Sequence, residues 1–463
     1  MLTDDTFFLS IAELGSLLRA KRFTSVELTE GYLSRLEKFG PRLNAVATLM
    51  RDSAMKEARA ADREIRRGKY RGPLHGIPYG AKDLCATRNA KTTWGATPYK
   101  DQQFDYDATI INKLRDAGAV LVAKLAMIEL AGGMGYNEAA ASLTGPCKTP
   151  WNADFWSGGS SSGPGAATAA ALVAFSIGSE TSGSIITPAA FCGVSGLRPT
   201  YGAVSRHGAM ALCWTLDKLG PMCRSAKDCE HVFNSIAGKD PLDPTSKDRP
   251  PRIRTKRAAL RLGVMKDSYE KAQPEVKENF LRSLETLKKF ARIEMDVKLP
   301  DFPYGPAVGT IVDAEGAAAF RDLIESGRVQ QLASPNGRVG GYAASLVTAV
   351  DYLHSMRLRI PMRRAWNEMF KKIDVLVAPS RATVSYPISK TFDQAYPGIS
   401  ATSPIGASNL VGVPGLSIPN GFGQNNLPTG IQFIGPAWSE QTLLDIADKF
   451  QQATDWHKKQ PSL

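Results

Sequence analysis

The sequence predicts an α/β protein built on a large, mixed, mostly parallel central β-sheet with helices on both faces. Three observations carry that expectation. The chain of 463 residues is 43% hydrophobic and 22% charged, which supplies the apolar material for a large buried core. Between about Leu74 and Pro221 the composition shifts towards Gly, Ala, Ser and Thr. Within that stretch, short apolar runs such as Val120 to Ala123 alternate with small-residue helical segments such as Ala166 to Ala174. Strand–helix alternation is the pattern of a parallel sheet covered on both sides.

The elements follow in order. Thr24-Ser25-Val26-Glu27 is a capping-box pattern, and Leu28, Tyr32, Leu36 and Phe39 then recur at helical spacing. Gly238 to Arg254 is a polar, proline-bearing seam, read as a surface loop within one domain spanning residues 1–463. Beyond it, Leu260 to Met265 predicts a strand. A helix starts at Pro274, with Val276, Phe280, Leu284, Leu287 and Ala291 on one apolar stripe. A second long helix, Thr348 to Lys372, feeds Asp374 to Pro379, a buried strand stopped by proline.

Charge and cysteine usage exclude several classes. The formal net charge is +12, which raises the question of nucleic acid. The densest basic patches, Arg249 to Arg257 and Arg357 to Arg364, lack aromatic interleaving and the signatures of a nucleic-acid module, so they read as solvated surface. No nucleic-acid partner is expected. The first twenty residues carry two early aspartates and no basic segment ahead of an apolar run, unlike a secretory signal. No stretch approaches the roughly 18 uninterrupted apolar residues of a membrane span. The six cysteines form no C-x-x-C pair, as expected of reduced thiols in a cytoplasmic protein.

The chemistry concentrates in Ser157 to Ser184, SGGSSSGPGAATAAALVAFSIGSETSGS. Two Gly- and Ser-rich turns flank an alanine-rich apolar helix and a short strand. Glycine permits positive φ and close backbone approach, and consecutive N–H groups in such a turn can converge on one spot, as an oxyanion hole requires. A solvent linker would not contain so apolar a helix. A phosphate loop would need Lys and then Ser or Thr after its second glycine, but Gly163 is followed by Pro164. None of the five histidines falls in a metal pattern or a nucleophile-elbow arrangement. With histidine set aside, lysine is the alternative base for a serine nucleophile, provided that burial lowers its pKa from about 10.4. Leu74 to Leu84, LHGIPYGAKDL, places Lys82 after an apolar, glycine-rich turn.

Gly76-Ile77-Pro78 with Lys82-Asp83, Gly158-Gly159-Ser160-Ser161 and Gly183-Ser184-Ile185 together resemble the three catalytic blocks of amidase signature enzymes. The resemblance continues through Pro188 to Gly193, Gly196 to Gly202, Asp240-Pro241, Gly412-Val413-Pro414 and Leu427 to Gln432, in order along nearly the whole chain. It implies the amidase signature fold, and it implies roles by position. Ser184 would be the nucleophile, Ser160 the serine whose own peptide bond is cis, and Lys82 the terminal base. The backbone N–H groups of Thr181, Ser182, Gly183 and Ser184 would form the oxyanion hole. Neither cofactor nor metal is implied.

Three positions depart from the family pattern. Ile186 stands where family members acting on carboxylate-bearing substrates carry arginine, Ser182 where glycine is common, and Glu180 where aspartate is usual. Met134 resembles a pocket-wall methionine, and the segment from about residue 300 to 347 is expected to shape the pocket. An aliphatic Ile186 cannot pair with a carboxylate. The reading is therefore an amide hydrolase acting through an acyl-enzyme on neutral, apolar or aryl amides (or related hydrazides or esters). The alternatives are the glutaminase subunit of a tRNA-dependent amidotransferase and a catalytically dead binding protein on the same fold. The expected partner is a small-molecule amide substrate, with no membrane, and the chain is compatible with a homodimer.

Overall fold

A computed structural model describes residues 2–250 and 259–463. Most of the basic patch Arg249 to Arg257 and the last residues of the Gly238 to Arg254 seam therefore lie outside the described residues. Eleven strands form one sheet among the described residues. In chain order they are β1 (Val46–Leu49), β2 (Pro78–Lys82), β3 (Val120–Leu125), β4 (Phe175–Glu180), β5 (Ser195–Arg198), β6 (Lys218–Cys223), β7 (Leu260–Val264), β8 (Ala291–Glu294), β9 (Val375–Pro379), β10 (Gly415–Phe422) and β11 (Pro428–Ile434). Across the sheet they run β1-β3-β2-β4-β6-β5-β10-β11-β9-β7-β8.

The sheet is mixed, as the sequence predicts, but the expectation of a mostly parallel one is corrected. β2 pairs parallel with β3 and β4, and β7 pairs parallel with β8 and β9, while the remaining neighbours are antiparallel. The reason lies in which strands become neighbours. β4 and β5 run the same way across the helix Ile186–Cys192, as alternation implies, but β6 inserts between them, antiparallel to both. β10 and β11 are joined only by Gly423 to Leu427, too short for a crossover, so they form a hairpin.

Helices cover both faces because strand side chains alternate between them. In β3, Leu121 packs into one apolar cluster while Val120 and Val122 pack into another. The second cluster includes Leu33 and Leu36 of the helix Ser25–Leu43 and Ala166 and Ala167 of the helix Ser162–Ala169. The capping box forms as read: Glu27 N–H donates to Thr24 Oγ1 at 3.1 Å and Thr24 N–H to Glu27 Oε2 at 2.7 Å. The helices Pro274–Leu287 and Ala349–Lys372 also start where predicted, the latter capped by Thr348.

One helix shifts. The predicted Ala166 to Ala174 segment is helical only to Ala169, and the helix begins earlier, at Ser162. Arg35 ends it, donating through Nε to Ala171 O (2.9 Å) and through Nη2 to Ala170 O (3.1 Å). Those bonds satisfy terminal carbonyls that a further helical turn would have used. The chain then reverses into β4. No described helix is long and apolar enough to cross a membrane.

Candidate active site

β2 and β4 are adjacent parallel strands, so their carboxyl ends lie at one edge of the sheet, the customary place for a ligand in such folds. Lys82 ends β2, and Ser179-Glu180 end β4. The helix Ser162–Ala169 packs on both strands and brings Ser160 and Ser161 to the same edge. Lys82 is fully buried, and its Nζ lies 2.7 Å from Ser160 Oγ, 3.0 Å from Ser161 Oγ and 2.9 Å from Ser179 Oγ. The Gly159–Ser160 peptide bond is cis. Burial lowers the Lys82 pKa from 10.5 to about 7, against the smaller upward pull of Cys85, Asp217 and Glu180. Desolvation penalises the charged form, and no carboxylate touches Nζ to offset it.

Ser161 is hydrogen-bonded to capacity. Its Oγ donates to Ser179 O at 3.1 Å and accepts from Ser179 N–H at 3.2 Å, so it can meet Lys82 only as an acceptor. The proton count around the lysine is thus partly fixed by the neighbouring strand.

Ser184 lies in the turn between β4 and the helix Ile186–Cys192 and retains 9% exposure, whereas Ser160 and Lys82 retain none. Gly183 adopts φ +100°, a conformation that disfavours side chains. The carbonyls of Gly183 and Ser184 accept from Thr187 N–H (2.8 Å) and Ser161 N–H (3.2 Å). Among the described residues, the N–H groups of Ser182, Gly183 and Ser184 donate to nothing. Thr181 points its hydroxyl to Asp217 at 2.6 Å.

Glu180 clamps this turn from below. Its Oε2 accepts from Ile185 N–H (2.8 Å) and Ile186 N–H (3.0 Å), and its Oε1 from Arg198 Nη1 (3.0 Å) and Asn409 Nδ2 (2.8 Å). Both Glu180 and Arg198 are fully buried. Burial alone would raise the carboxyl pKa, but Arg198 and the hydrogen bonds from Asn409 and Ile186 hold it below the usual range. Each carboxylate oxygen thereby receives two donors, the condition under which a buried charge pair is tolerated.

A cavity of about 180 Å³ adjoins the site, lined by Ser179, Thr181, Asp217 and Lys218 and by apolar Met210 and Leu212, while Lys82, Ser160 and Ser184 lie behind Ser179 and Thr181 and do not themselves line it. The two candidate substrate contacts do not line it. Ile186 is fully buried, and it is its backbone, not its side chain, that meets Glu180. Met134 is buried against the helix Pro335–Ala344, where a Cβ on Gly341 would sit 2.8 Å from its Sδ. Residues 300–347 are also absent from the lining, yet they shape it indirectly. Glu315 accepts from Thr215 N–H (3.0 Å) and Thr215 Oγ1 (2.7 Å), fixing the loop that carries Leu212.

The family model described as Amidase matches residues 27–444. The chain belongs to the amidase signature family. Among relatives of this amidase signature chain, the glutamyl-tRNA(Gln) amidotransferase A subunit of Methylococcus capsulatus is 36% identical over 485 residues, covering 98% of each protein. That of Acinetobacter baumannii is 36% identical over 493 residues, covering 99% of each. Among solved structures, the native peptide amidase from Stenotrophomonas maltophilia superimposes with a TM-score of 0.83 at 32% identity, covering 96% of this chain and 97% of the other. The corresponding amidotransferase subunit of Thermotoga maritima gives 0.79 at 25% identity, covering 97% and 95%.

The blocks singled out in the sequence, with Lys82, Ser160 and the Thr181 to Ser184 turn, thus meet in one place. Ser161, Ser179, Arg198, Asn409, Asp217 and Lys218 join them without any role assigned from sequence. For Ser179 a signal existed: alternation along β4 puts it on the same face as Phe175 and Ile177, and a hydroxyl on that apolar run marks the strand end as unusual. Ser161 stands next to Ser160 in the same serine-rich block, and Arg198, Asn409, Asp217 and Lys218 come from segments too distant in sequence for any local pattern to join.

Proposed function

We propose that the chain is an amide hydrolase that cleaves neutral, apolar or aryl amides with Ser184 as nucleophile, Ser160 as proton relay and Lys82 as terminal base. The observation that carries this reading is the proton inventory at Lys82. A neutral amine has two N–H groups and one lone pair. Ser161 can only accept, and a second N–H serves Ser179, which leaves the lone pair facing the hydroxyl of Ser160 at 2.7 Å. As the Ser184 oxygen attacks the substrate carbonyl carbon, its proton passes to Ser160 Oγ while the Ser160 proton passes to Nζ. The unpaired N–H groups of residues 182–184, with Thr181 N–H at the end of the turn, are suited to receive the developing oxyanion. Reverse transfer through Ser160 protonates the leaving amine, and water then repeats the cycle on the acyl-enzyme.

A fluorophosphonate probe tests the assignment: it should label the wild-type chain on Ser184 and leave Ser184→Ala unlabelled. Turnover of anilides, primary amides, hydrazides and esters should fall about 10⁴-fold or more in that variant. Near-normal amide hydrolysis by Ser184→Ala would refute the nucleophile, and an unlabelled wild type would favour a catalytically dead scaffold. A second reading, the glutaminase subunit of an amidotransferase, is favoured by the 36% identity to those subunits over 98% of the chain. Against it, the position that would offer a carboxylate-pairing arginine is Ile186, sealed in the core. Glutamine outrunning neutral amides in kcat/KM would reverse that preference. A small-molecule substrate and a cytoplasmic setting accompany the main reading.

A further inference from the structure

Lys218 opens β6 and is, with Lys82 and Lys124, one of three lysines buried at this edge of the sheet among the described residues, with 2% exposure. Its Nζ donates to Asn409 Oδ1 at 2.6 Å, and among the described residues it makes no other hydrogen bond and no ion pair. An ammonium carries three donors, and burying them unpaired is costly. Lys218 also lines the cavity that Ser179 and Thr181 share. We propose that Lys218 is a specificity-determining residue that donates a hydrogen bond to a neutral acceptor oxygen of the substrate, a second carbonyl close to the scissile amide.

The surrounding charge selects a neutral acceptor over a carboxylate. Asp217 and Asp243 line the same cavity. Asp217 is occupied by Thr181 Oγ1 and by the N–H groups of Leu212 and Cys213 (both 2.9 Å), but it keeps its negative field beside Lys218. Arg206, the other cation of the wall, is held by its neighbours: its Nη groups bond Tyr201 Oη, Thr245 Oγ1 and the Trp214 carbonyl, and its Nε, which makes no hydrogen bond, lies 3.6 Å from Asp243. A substrate carboxylate would therefore meet two carboxylates, with Lys218 beside Asp217 and the Arg206 guanidinium already paired with Asp243 as the cations facing it. Burial and the neighbouring Arg198 push the Lys218 pKa down, towards the neutral amine. In either protonation state at least one N–H remains after Asn409 is served, so the proposed contact survives both. The apolar remainder of the wall, with Leu84, Met210, Leu212 and Leu219, suits an aliphatic or aromatic side group beside that carbonyl. The substrate class that fits is an amide whose acyl part bears a second, uncharged carbonyl, such as an N-acylated amino-acid amide.

This inference rests on the amide-hydrolase reading, and the experiment separates the two. Steady-state kinetics on N-acetyl-leucinamide and on 4-methylpentanamide, which has the same side chain without the second carbonyl, would be compared for wild type, Lys218→Met and Lys218→Gln. Lys218→Met should raise KM for N-acetyl-leucinamide about tenfold more than KM for 4-methylpentanamide, the difference expected for one unmade hydrogen bond. Lys218→Gln keeps a donor at the wall and should recover part of the loss. Equal losses of kcat on both amides would overturn the proposal, for Lys218 would then act through Asn409 and Glu180 on the Ser184 turn. No change on either amide would overturn it as well. If wild type turns over neither amide and the fluorophosphonate probe leaves Ser184 unlabelled, the amide-hydrolase reading falls. Calorimetric titration of N-acetyl-leucinamide into Ser184→Ala, with and without Lys218→Met, then decides the contact alone: about tenfold weaker binding supports it and equal binding refutes it.

Discussion

Lys82→Met tests the central physical claim, that burial makes this lysine neutral. Its pKa falls from 10.5 to about 7, a difference worth ~5 kcal/mol at about 1.36 kcal/mol per pH unit. Two consequences have definite signs. Wild-type kcat/KM on a neutral amide should rise about tenfold per pH unit below pH 6, reach half its maximum within about a unit of pH 7, and level off above pH 8, because only the neutral amine accepts the relayed proton. Stability follows from the same shift. Between the native value near 7 and the unfolded value near 10.5, the unfolded chain holds one more proton at this site than the native one, so this site's contribution to stability rises with pH across that window. Methionine removes the slope. The unfolding free energy of Lys82→Met relative to wild type should therefore decline by about 2–3 kcal/mol from pH 7 to pH 9. Its catalysis on amides should be lost at every pH. Urea unfolding at the two pH values, beside the pH–rate profile, supplies the measurement. A rate still climbing tenfold per unit at pH 9, or a stability difference independent of pH, would refute the claim of a buried neutral base.

Two further outcomes follow from the same geometry. Glu180→Gln leaves Arg198 as a buried charge without its partner, and should lower the unfolding free energy by about 3–5 kcal/mol, read as a shift of the urea midpoint; an unchanged midpoint would mean that the clamp beneath Ser184 carries no net stability. All six cysteines are free and buried, with Cys85 pushed up to about 11 and Cys147 to about 12 by burial. A chromogenic disulfide reagent at pH 8 should then titrate no thiol within minutes in the native protein and six in denaturant, and rapid reaction of a native thiol would contradict their burial.

What the sequence determined by itself was local or carried by contiguous motifs. Thr24 and Glu27 cap a helix because their side chains reach only three residues, and Val276, Phe280, Leu284 and Leu287 of the predicted stripe are buried because the helical period puts all four on one side, whereas Ala291, its fifth member, lies beyond the helix and opens β8. Lys82, Ser160 and the turn ending at Ser184 were legible because each lies in a short glycine- or serine-rich block. What the tertiary structure decided was everything that depends on which distant segments become neighbours. Alternation of strands and helices does not state that β6 will insert antiparallel between β4 and β5, because strand order is set by packing across the whole sheet. Ile186 and Met134 resemble pocket residues in the sequence, and it is the fold that sets their burial, Ile186 behind the Ser184 turn and Met134 against the helix Pro335–Ala344. The groups that complete the site, Ser179 on Lys82, Arg198 and Asn409 on Glu180, and Lys218 in the cavity wall, meet only in the folded chain, with Asn409 reaching Glu180 across 229 positions of sequence. No local pattern encodes such a contact; desolvation and hydrogen-bond satisfaction in the assembled core select it.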